Sequence, residues 1–355
     1  MAEKFPKLKI SSHESSSGID IALIIASVIL LIASFFTRYS WLPRFILPPI
    51  WAHVLVNNID RMILKISPEF WDTFHRSSGG ITMERFMRLK GARFGLVVII
   101  SMMIYGIYPE AFFAGDIRFH LTERLFYPSL EHPLGTDRYG RDVYSLIIVS
   151  MKYNTQVILL TIFVILLLGT AVGATSGYFG GTTDALLNGI TDFFLVIPFL
   201  PLLLTLITIF NFQQLTAVIL LVSVFSWMGI AKIIRANVYK IKGEQYIEAA
   251  RLLGASSTRI IFKHILPNTM SSAIVNTFSD AGGLLLTVAA LDFLGFGVGD
   301  VITIGEIVSE GRIFLSLGYW WLSILPGAII ALIAVAFNLV GAAYVASTSK
   351  EVRMG

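Results

Sequence analysis

The chain has 355 residues, of which 55% are hydrophobic and 14% charged, and its mean hydropathy is +0.75. Soluble domains carry about 25% charged residues, so this composition argues against a large soluble core and predicts a polytopic membrane protein. The net charge is only +4, and the chain has no cysteine, which excludes disulfides, thiolate metal sites and cysteine nucleophiles.

Seven apolar runs are long enough to cross a bilayer, whose hydrocarbon core takes about 20 residues of helix. In chain order they are 19–36, 94–113, 157–176, 185–210, 215–231, 274–296 and 322–346. The first follows a polar tail at 1–18 and has no small-residue cleavage site after it, so we expect a retained helix rather than a signal peptide. The apolar stretch 41–56 contains three prolines. We therefore expect it to be an interfacial or partly buried segment.

Basic residues predict the orientation, because the cytoplasmic loops of membrane proteins are enriched in Lys and Arg. The segments 37–93 and 232–273 are rich in them, whereas 297–321 contains only Arg312. The pattern predicts an external N terminus, a cytoplasmic tail at 348–355 and an external loop at 114–155. That loop carries five basic residues, which five acidic residues balance.

The sequence EQYIEAARLLGASSTRIIFKHILPN is unusually polar for this chain and lies in a segment predicted to be cytoplasmic. The residues around Glu248 indicate a helix, Gly254 supplies a turn, and Pro267 marks the boundary of a second helix. The two alanines after Glu248 allow another surface to approach closely. The stretch is either a helix that docks on a partner at the membrane face or an amphipathic helix on lipid headgroups.

This stretch is similar to the signature of the membrane subunits of ABC importers, in which Glu-Ala-Ala, three residues and Gly precede a hydrophobic-Leu-Pro close. The matching positions are Glu248, Ala249, Ala250, Gly254, Leu266 and Pro267, whereas His264 stands where the pattern has Ile. The resemblance implies that the loop 236–268 holds the coupling helix, which sits in a cleft of a cytoplasmic ATPase. The expected coupling residues are Glu248, Ala249, Ala250, Arg251, Gly254, Ala255 and Pro267.

Three further stretches, HPLGTDRYGRDVYS, SGYFGGTTDALL and FLGFGVG, resemble the dipeptide, oligopeptide and nickel permeases, and more closely their C-type subunit. The resemblance implies an all-α, six-helix ABC type I importer core that comprises 94–113 and 156–347, with 19–36 as an additional N-terminal transmembrane helix. It implies that this chain catalyses nothing. The implied partners are a second homologous permease, an external substrate-binding protein, and two cytoplasmic ABC ATPases that hold the ATP and Mg.

Two groups of residues suggest structural roles. In the external loop we expect a tight turn with paired charges, formed by Gly135, Asp137, Gly140, Arg141 and Asp142. In the third span Gly169, Gly173 and Gly177 lie four residues apart and therefore on one helix face. Small residues at this spacing let transmembrane helices pack closely.

Four polar residues in predicted spans are candidates for the translocation pathway: Asn188, Asp192, Asp280 and Asp292. An ionisable group inside a membrane normally faces a bundle interior or an aqueous cavity. The alternatives for Asn188 and Asp192 are a hydrogen bond that ties helices together, or an Asp that lies near the lipid headgroups. The chain also departs from the family pattern, since it has Val288 and Asp292 where an acidic residue and Ser are usual. That departure leaves the cargo open.

The predicted function is ATP-driven import of short peptides, with oligosaccharides or nickel complexes as alternatives from the same family. A rival from another class is a stand-alone secondary transporter that uses Asp192 and Asp292 for ion coupling. The chain has no P-loop and no nucleophile-elbow sequence, and its six histidines show no metal-ligand spacing. Trp320 and Trp321, at the start of the last span, indicate an interfacial aromatic belt.

Overall fold

The computed structural model describes residues 41–66, 78–112, 117, 119–120, 122–212, 214–297 and 301–348. These residues form helices and include no β-strand, only an isolated bridge between Thr136 and Asp142. The helices are α1 (Trp41–Ile66), α2 (Ser78–Arg88), α3 (Lys90–Ile107), α4 (Val143–Phe179), α5 (Gly181–Val196), α6 (Phe199–Phe210), α7 (Leu215–Val224), α8 (Met228–Lys242), α9 (Gln245–Leu252), α10 (Ser257–Ile260), α11 (Leu266–Phe293), α12 (Ile304–Leu315) and α13 (Trp321–Thr348). The prediction of an all-α fold is confirmed.

Four helical runs among the described residues are long and apolar enough to cross a membrane: α3, α4, Ser257–Phe293 and α13. Two bent pairs, α5 with α6 and α7 with α8, raise the number to six if each pair is one span. These six coincide in order with the predicted spans from 94–113 onward. The predicted span 19–36 lies outside the described residues.

The predicted span 185–210 is broken rather than continuous. Helices α5 and α6 meet at an angle of 86°, and between them Ile197 has an extended backbone, with φ −76° and ψ 128°. The cause is Pro198, because the residue before a proline avoids the helical region. The next pair, α7 and α8, is bent by 41°.

Helix α4 begins earlier than predicted and runs for 37 residues. The Asp142 side chain caps it by accepting a hydrogen bond from the Ser145 backbone N–H at 2.7 Å. Such caps satisfy backbone donors that have no partner in the first turn. Residues 143–155 of the segment predicted as an external loop therefore form the first turns of this helix.

Helix α1 contains Pro48 and Pro49, yet it runs for 26 residues. A proline has no N–H, so the carbonyl four residues earlier loses its helical partner. For Pro49 this carbonyl belongs to Phe45, and the Tyr105 hydroxyl of α3 donates a hydrogen bond to it at 2.6 Å. The stretch 41–56 is thus helical despite its prolines, because a side chain of the neighbouring helix replaces the bond lost at Pro49.

The start of α1 lies beside the start of α4. The rings of Phe45 and Tyr144 are 5.8 Å apart, and Tyr144 lies next to the loop predicted to be external. Residues on opposite faces of a hydrocarbon core about 30 Å thick cannot touch. The predictions that place all of 37–93 in the cytoplasm and 114–155 outside therefore cannot both hold in full.

Helix α4 is central to the bundle, because all three clusters of buried side chains include it. Its N-terminal half packs with α3, α11, α12 and α13, and its middle packs with α6, α7 and α11. Its C-terminal half packs with α8 and with the loop that follows α8. Movements of that loop are therefore mechanically connected to the central helix.

The glycine stripe of α4 forms the contact with α8. A Cβ atom added at Gly169 would lie 3.0 Å from the Ile230 Cβ, and one at Gly177 would lie 2.7 Å from the Arg235 backbone oxygen. At Gly173 it would lie 2.9 Å from the Ile234 Cβ and closer still to a backbone oxygen. A Cβ at Gly173 or Gly177 would force the neighbouring atoms to move, and one at Gly169 would be tight. The glycines therefore allow the close approach of the two helices.

Candidate functional site

The loop between α8 and α11 contains an exposed turn. Leu252, the last residue of α9, and Leu253, which follows it, are 84% and 88% exposed. Gly254 comes next at φ +81°, in a region that favours glycine. No atom lies within 4 Å of a Cβ placed at Gly254. Two large apolar side chains thus project from the surface of this turn.

The opposite face of this loop is anchored in the bundle. Ile247 of α9, Ile260 of α10 and Ile265 are completely or almost completely buried. They pack with Tyr178 at the end of α4 and with Val238 of α8. Among the predicted coupling residues, Glu248, Ala249, Arg251 and Gly254 are exposed, and Ala250 and Ala255 are half-buried. The loop therefore has one exposed face and one face that packs against α4 and α8.

Pro267 does not mark the boundary predicted for it. The helix continues from Ser257 to Phe293, with Pro267 in the first turn of α11. A π-helical turn at Ile261–Ile265 precedes it, in which the Leu266 N–H donates to the carbonyl of Ile261, five residues earlier. This wider turn changes the hydrogen-bond register ahead of the proline, which has no N–H to donate.

Two basic side chains of α8 hold the neighbouring segments in place. Arg235 donates from Nε and Nη2 to the two carboxylate oxygens of Asp184 on α5, at 2.5 and 2.6 Å. Such two-point pairs fix orientation as well as distance. Lys242 donates to the Tyr178 carbonyl at 2.5 Å, at the end of α4. Helix α8, which leads into the exposed turn, is thereby tied to both α4 and α5.

Asn188 and Asp192 lie in this contact between α5 and α8. The Asn188 side-chain amide donates to the Asp192 carboxylate at 2.7 Å, and Lys232 of α8 forms an ion pair with Asp192. Asp292 is buried elsewhere, at the end of α11, where a Cβ on Gly297 would lie 2.6 Å from its Oδ1. For Asn188 and Asp192 the geometry favours the alternative of a contact that ties helices together.

Asp280 lies apart from the other pathway candidates, in a cavity of about 530 Å³. The cavity is bounded by α11, by α13 and by both helix breaks, where Ile197 and Phe225 lie. Transporter binding sites are often built where spanning helices are discontinuous. The structure thus groups Asp280 with the breaks and separates it from Asp192 and Asp292.

The segment before α4 forms a tight turn with paired charges. Gly135 and Gly140 have φ +72° and +76°, and Arg141 Nε donates to Asp137 Oδ2 at 2.6 Å. Arg141 also pairs with Glu310 of α12 at 3.2 Å. Glu310 also forms an ion pair with Arg138 at 2.9 Å. It was not predicted from the sequence, because it lies about 170 positions from the two arginines. These pairs hold the turn on α12.

The expectation that Trp320 and Trp321 form an interfacial aromatic belt is wrong for Trp321. Trp320 is exposed, but Trp321 is completely buried, and its ring lies 4.5 Å from that of Tyr127. Gly135 lies against the Trp321 indole with no room for a side chain. Trp321 therefore fastens the same turn to the start of α13 rather than anchoring the chain at the lipid surface.

The sequence matches a known family of transport proteins. Residues 166–353 match the family "Binding-protein-dependent transport system inner membrane component". The chain belongs to this family. The matched residues contain the exposed turn, the ion pairs of α8 and the cavity at Asp280. The turn at 132–142 lies outside them.

Several curated transport proteins are similar over most of the chain. The dipeptide transport system permease protein DppC of Bacillus subtilis is 30% identical over 275 residues, which are 76% of this chain and 86% of the relative. The oligopeptide transport system permease protein OppC of the same organism is 30% identical, over 73% of this chain and 85% of the relative. The probable D,D-dipeptide transport system permease protein DdpC of Escherichia coli is 32% identical, over 69% and 82%.

Family membership makes this chain a multi-pass permease that works within a membrane-embedded transport complex. The relatives are transport permeases, not enzymes. Among the described residues no group of three or more His, Asp and Glu side chains could hold a metal ion.

Sequence reasoning missed Leu252 and Leu253 as surface residues of the turn. The only signal was their position directly before Gly254, in a loop otherwise rich in charge.

The turn at 132–142 is expected to lose stability as the pH rises. His132 Nδ1 lies 3.0 Å from Asp142 Oδ2, and this hydrogen bond raises the pKa of His132, with burial opposing it. The charged form therefore stabilises the fold fully below the unfolded pKa of about 6.5 and stops doing so above the higher folded pKa. The melting temperature of purified protein should differ between wild type and His132→Gln at about pH 6 but much less at about pH 9. A difference independent of pH would contradict this assignment.

Proposed function

We propose that this chain is a transmembrane permease subunit of an ATP-driven ABC importer and forms half of its translocation pathway. Its partners are a second, homologous permease, two cytoplasmic ATPase subunits and an external substrate-binding protein. ATP and Mg bind to the ATPases, and this chain binds no cofactor. The C terminus and the loop after α8 face the cytoplasm.

The observation that carries the proposal is the exposed turn after α9. An apolar pair at 84% and 88% exposure, fixed in place by a glycine at φ +81°, is suited to insertion into a groove of a partner. The buried face of the loop packs on α4 and α8, so a push on the turn moves the helices that surround the cavity. A helix that merely lay on lipid headgroups would need no such rigid attachment to the bundle.

The proposed cargo is short peptides, because the similar permeases are named for dipeptide and oligopeptide transport. Oligosaccharides and nickel complexes are the alternatives. A stand-alone secondary transporter is the rival from another class. It is less well supported, because Asp192, one of its two proposed ion-coupling groups, is already paired with Lys232.

The coupling role is tested by Gly254→Val and Glu248→Lys in the reconstituted complex. Valine is poorly tolerated at φ +81°, so the turn should lose its shape while the membrane helices stay folded. We expect ATP-driven uptake to fall at least about tenfold, the size of a typical allosteric coupling. ATP hydrolysis should no longer depend on the loaded binding protein.

Gly318→Val is the matched control. Gly318 also has a positive φ, +92°, and no atom lies within 4 Å of a Cβ added there, but it is located between α12 and α13. The substitution should strain the backbone equally and leave hydrolysis coupled to uptake. Normal uptake by both Gly254→Val and Glu248→Lys would count against the docking role. Uptake by the permease without any ATPase would favour the secondary transporter.

A further inference from the structure

The carboxylate of Asp280 is the feature of this cavity that points to a ligand. Among the residues that line it, Asp280 is the sole ionisable side chain. No described residue forms a hydrogen bond or an ion pair with its carboxylate, whereas Asp184 and Asp192 are both paired with basic residues of α8. Asp280 is exposed on this chain. Its carboxylate is therefore free to bind a positive charge that a ligand brings.

The hydroxyls of the cavity also favour a donor as ligand. The hydroxyls of Ser226, Ser279 and Thr287 donate their hydrogens to backbone carbonyls of their own helices, at 2.6, 3.1 and 3.0 Å. A hydroxyl whose one hydrogen is already donated can only accept further hydrogen bonds. The cavity therefore presents a carboxylate and three hydroxyl oxygens that accept N–H groups, beside the amide of Asn338, which donates to the Ala334 carbonyl at 2.9 Å.

Aromatic rings complete the lining. Phe194, Phe199 and Phe225 all contribute to the cavity, and the rings of Phe194 and Phe225 lie 5.5 Å apart, edge to face. Aromatic faces attract ammonium groups and repel anions. The volume of about 530 Å³ falls within the range of about 300–1,000 Å³ that small-molecule sites occupy.

We infer that Asp280 forms a recognition site for the ammonium group of the cargo as it passes between the two helix breaks. The inference rests on the proposed import function and narrows it, because it requires a solute that carries a primary amine, such as the free N terminus of a short peptide. Anionic solutes and amine-blocked peptides are disfavoured. Asp280 is a binding residue here and takes no part in ATP hydrolysis.

A labelling experiment tests the site without reference to cargo. Because the chain has no cysteine, Thr287→Cys places a single thiol in the cavity of the assembled complex. Its reaction with aminoethyl methanethiosulfonate, a cation, is compared with that of sulfonatoethyl methanethiosulfonate, an anion, by the mass of this chain. Adding Asp280→Asn should lower the cation-to-anion rate ratio at least about fivefold, as expected for the loss of one nearby charge.

Two variants serve as controls for the labelling. Asp280→Glu keeps the charge and should keep the ratio. Glu84→Gln removes a carboxylate that pairs with Arg88 on α2, away from the cavity, and should also leave the ratio unchanged. An unchanged ratio in Asp280→Asn would overturn the inference.

Uptake by proteoliposomes then tests the link to cargo. We expect Asp280→Asn to reduce uptake of trialanine at least about tenfold relative to uptake of N-acetyl-trialanine. An equal reduction for both peptides would mean that Asp280 only supports the cavity, and would overturn amine recognition. If the wild-type complex imported neither peptide with ATP, the proposed cargo would fail, while the labelling ratio would still report on the site.

Discussion

Arg235→Asp is expected to reduce ATP-driven uptake at least about tenfold, because coupling free energies of about 1–3 kcal/mol correspond to about 5- to 150-fold effects. Arg235 holds Asp184 through two hydrogen bonds of 2.5 and 2.6 Å, and Ser176 of α4 donates to the same carboxylate. Reversing its charge places two carboxylates face to face between α5 and α8. Helix α5 should then no longer follow α8 when the exposed turn moves.

The charge-swapped pair Asp184→Arg with Arg235→Asp should recover much of the lost uptake, since attraction between the two helices is restored. Lys232→Glu is the comparison within the same helix. Its pair with Asp192 is almost half exposed, and exposed pairs contribute only about 0–1 kcal/mol, so its effect should be smaller. The measurements are uptake and ATP hydrolysis in proteoliposomes. Normal uptake by Arg235→Asp, or no recovery in the double variant despite normal assembly, would argue against this connection.

Gly173→Leu is expected to prevent the close packing of α4 on α8 and to leave little correctly folded chain. Even a methyl group at Gly173 would approach the Ile234 Cβ to 2.9 Å and a backbone oxygen more closely. Gly173→Ala should therefore already destabilise the chain, with a cost of about 1–3 kcal/mol for overpacking. The yield and the melting temperature of the detergent-purified protein measure both effects.

Gly229→Ala provides the control from the partner helix α8. No atom lies within 4 Å of a Cβ at Gly229, and alanine favours helix more than glycine does. Its melting temperature should be equal to or above that of wild type. If Gly173→Ala were as stable as Gly229→Ala, the two helices would have to separate at little cost, and the glycine stripe would not set their distance.

The positions of the spans could be predicted because hydropathy is a local property of the sequence. Each predicted span from 94–113 onward overlaps a helix or a bent pair. Their ends were less predictable. Polar residues such as Lys152 and Asn154 lower the hydropathy at the start of α4, but they cannot stop a helix that Asp142 has capped. The break at Pro198 was visible as a proline, yet its 86° angle depends on packing.

Contacts between distant segments could not be read from the sequence. Nothing local to Pro49 indicates that Tyr105 will replace its missing hydrogen bond, and nothing near Arg141 points to Glu310. The coupling stretch was recognised through its family signature, which names residue types and spacing. The signature does not state which side chains of the loop are exposed, so Leu252 and Leu253 emerged only from the structure.

The polar residues of the spans illustrate the same limit. Asn188, Asp192, Asp280 and Asp292 look alike as isolated polar positions in apolar runs. Their surroundings differ because Lys232 reaches Asp192, glycines cover Asp292, and two helix breaks open beside Asp280. The sequence shows that a polar or charged side chain lies in an apolar span, but only the packing shows which partner or cavity accommodates it.

Helix α1 makes two flanks of the bundle different. It lies against α3, joined by the Tyr105 bond to Phe45, and so covers that flank. The flank formed by α5 and α6 remains bare, with Leu186, Phe193, Val196 and Phe210 from 60% to 82% exposed. Lipid or another protein surface must therefore shield the apolar flank of α5 and α6, whereas the chain shields α3 with a helix of its own.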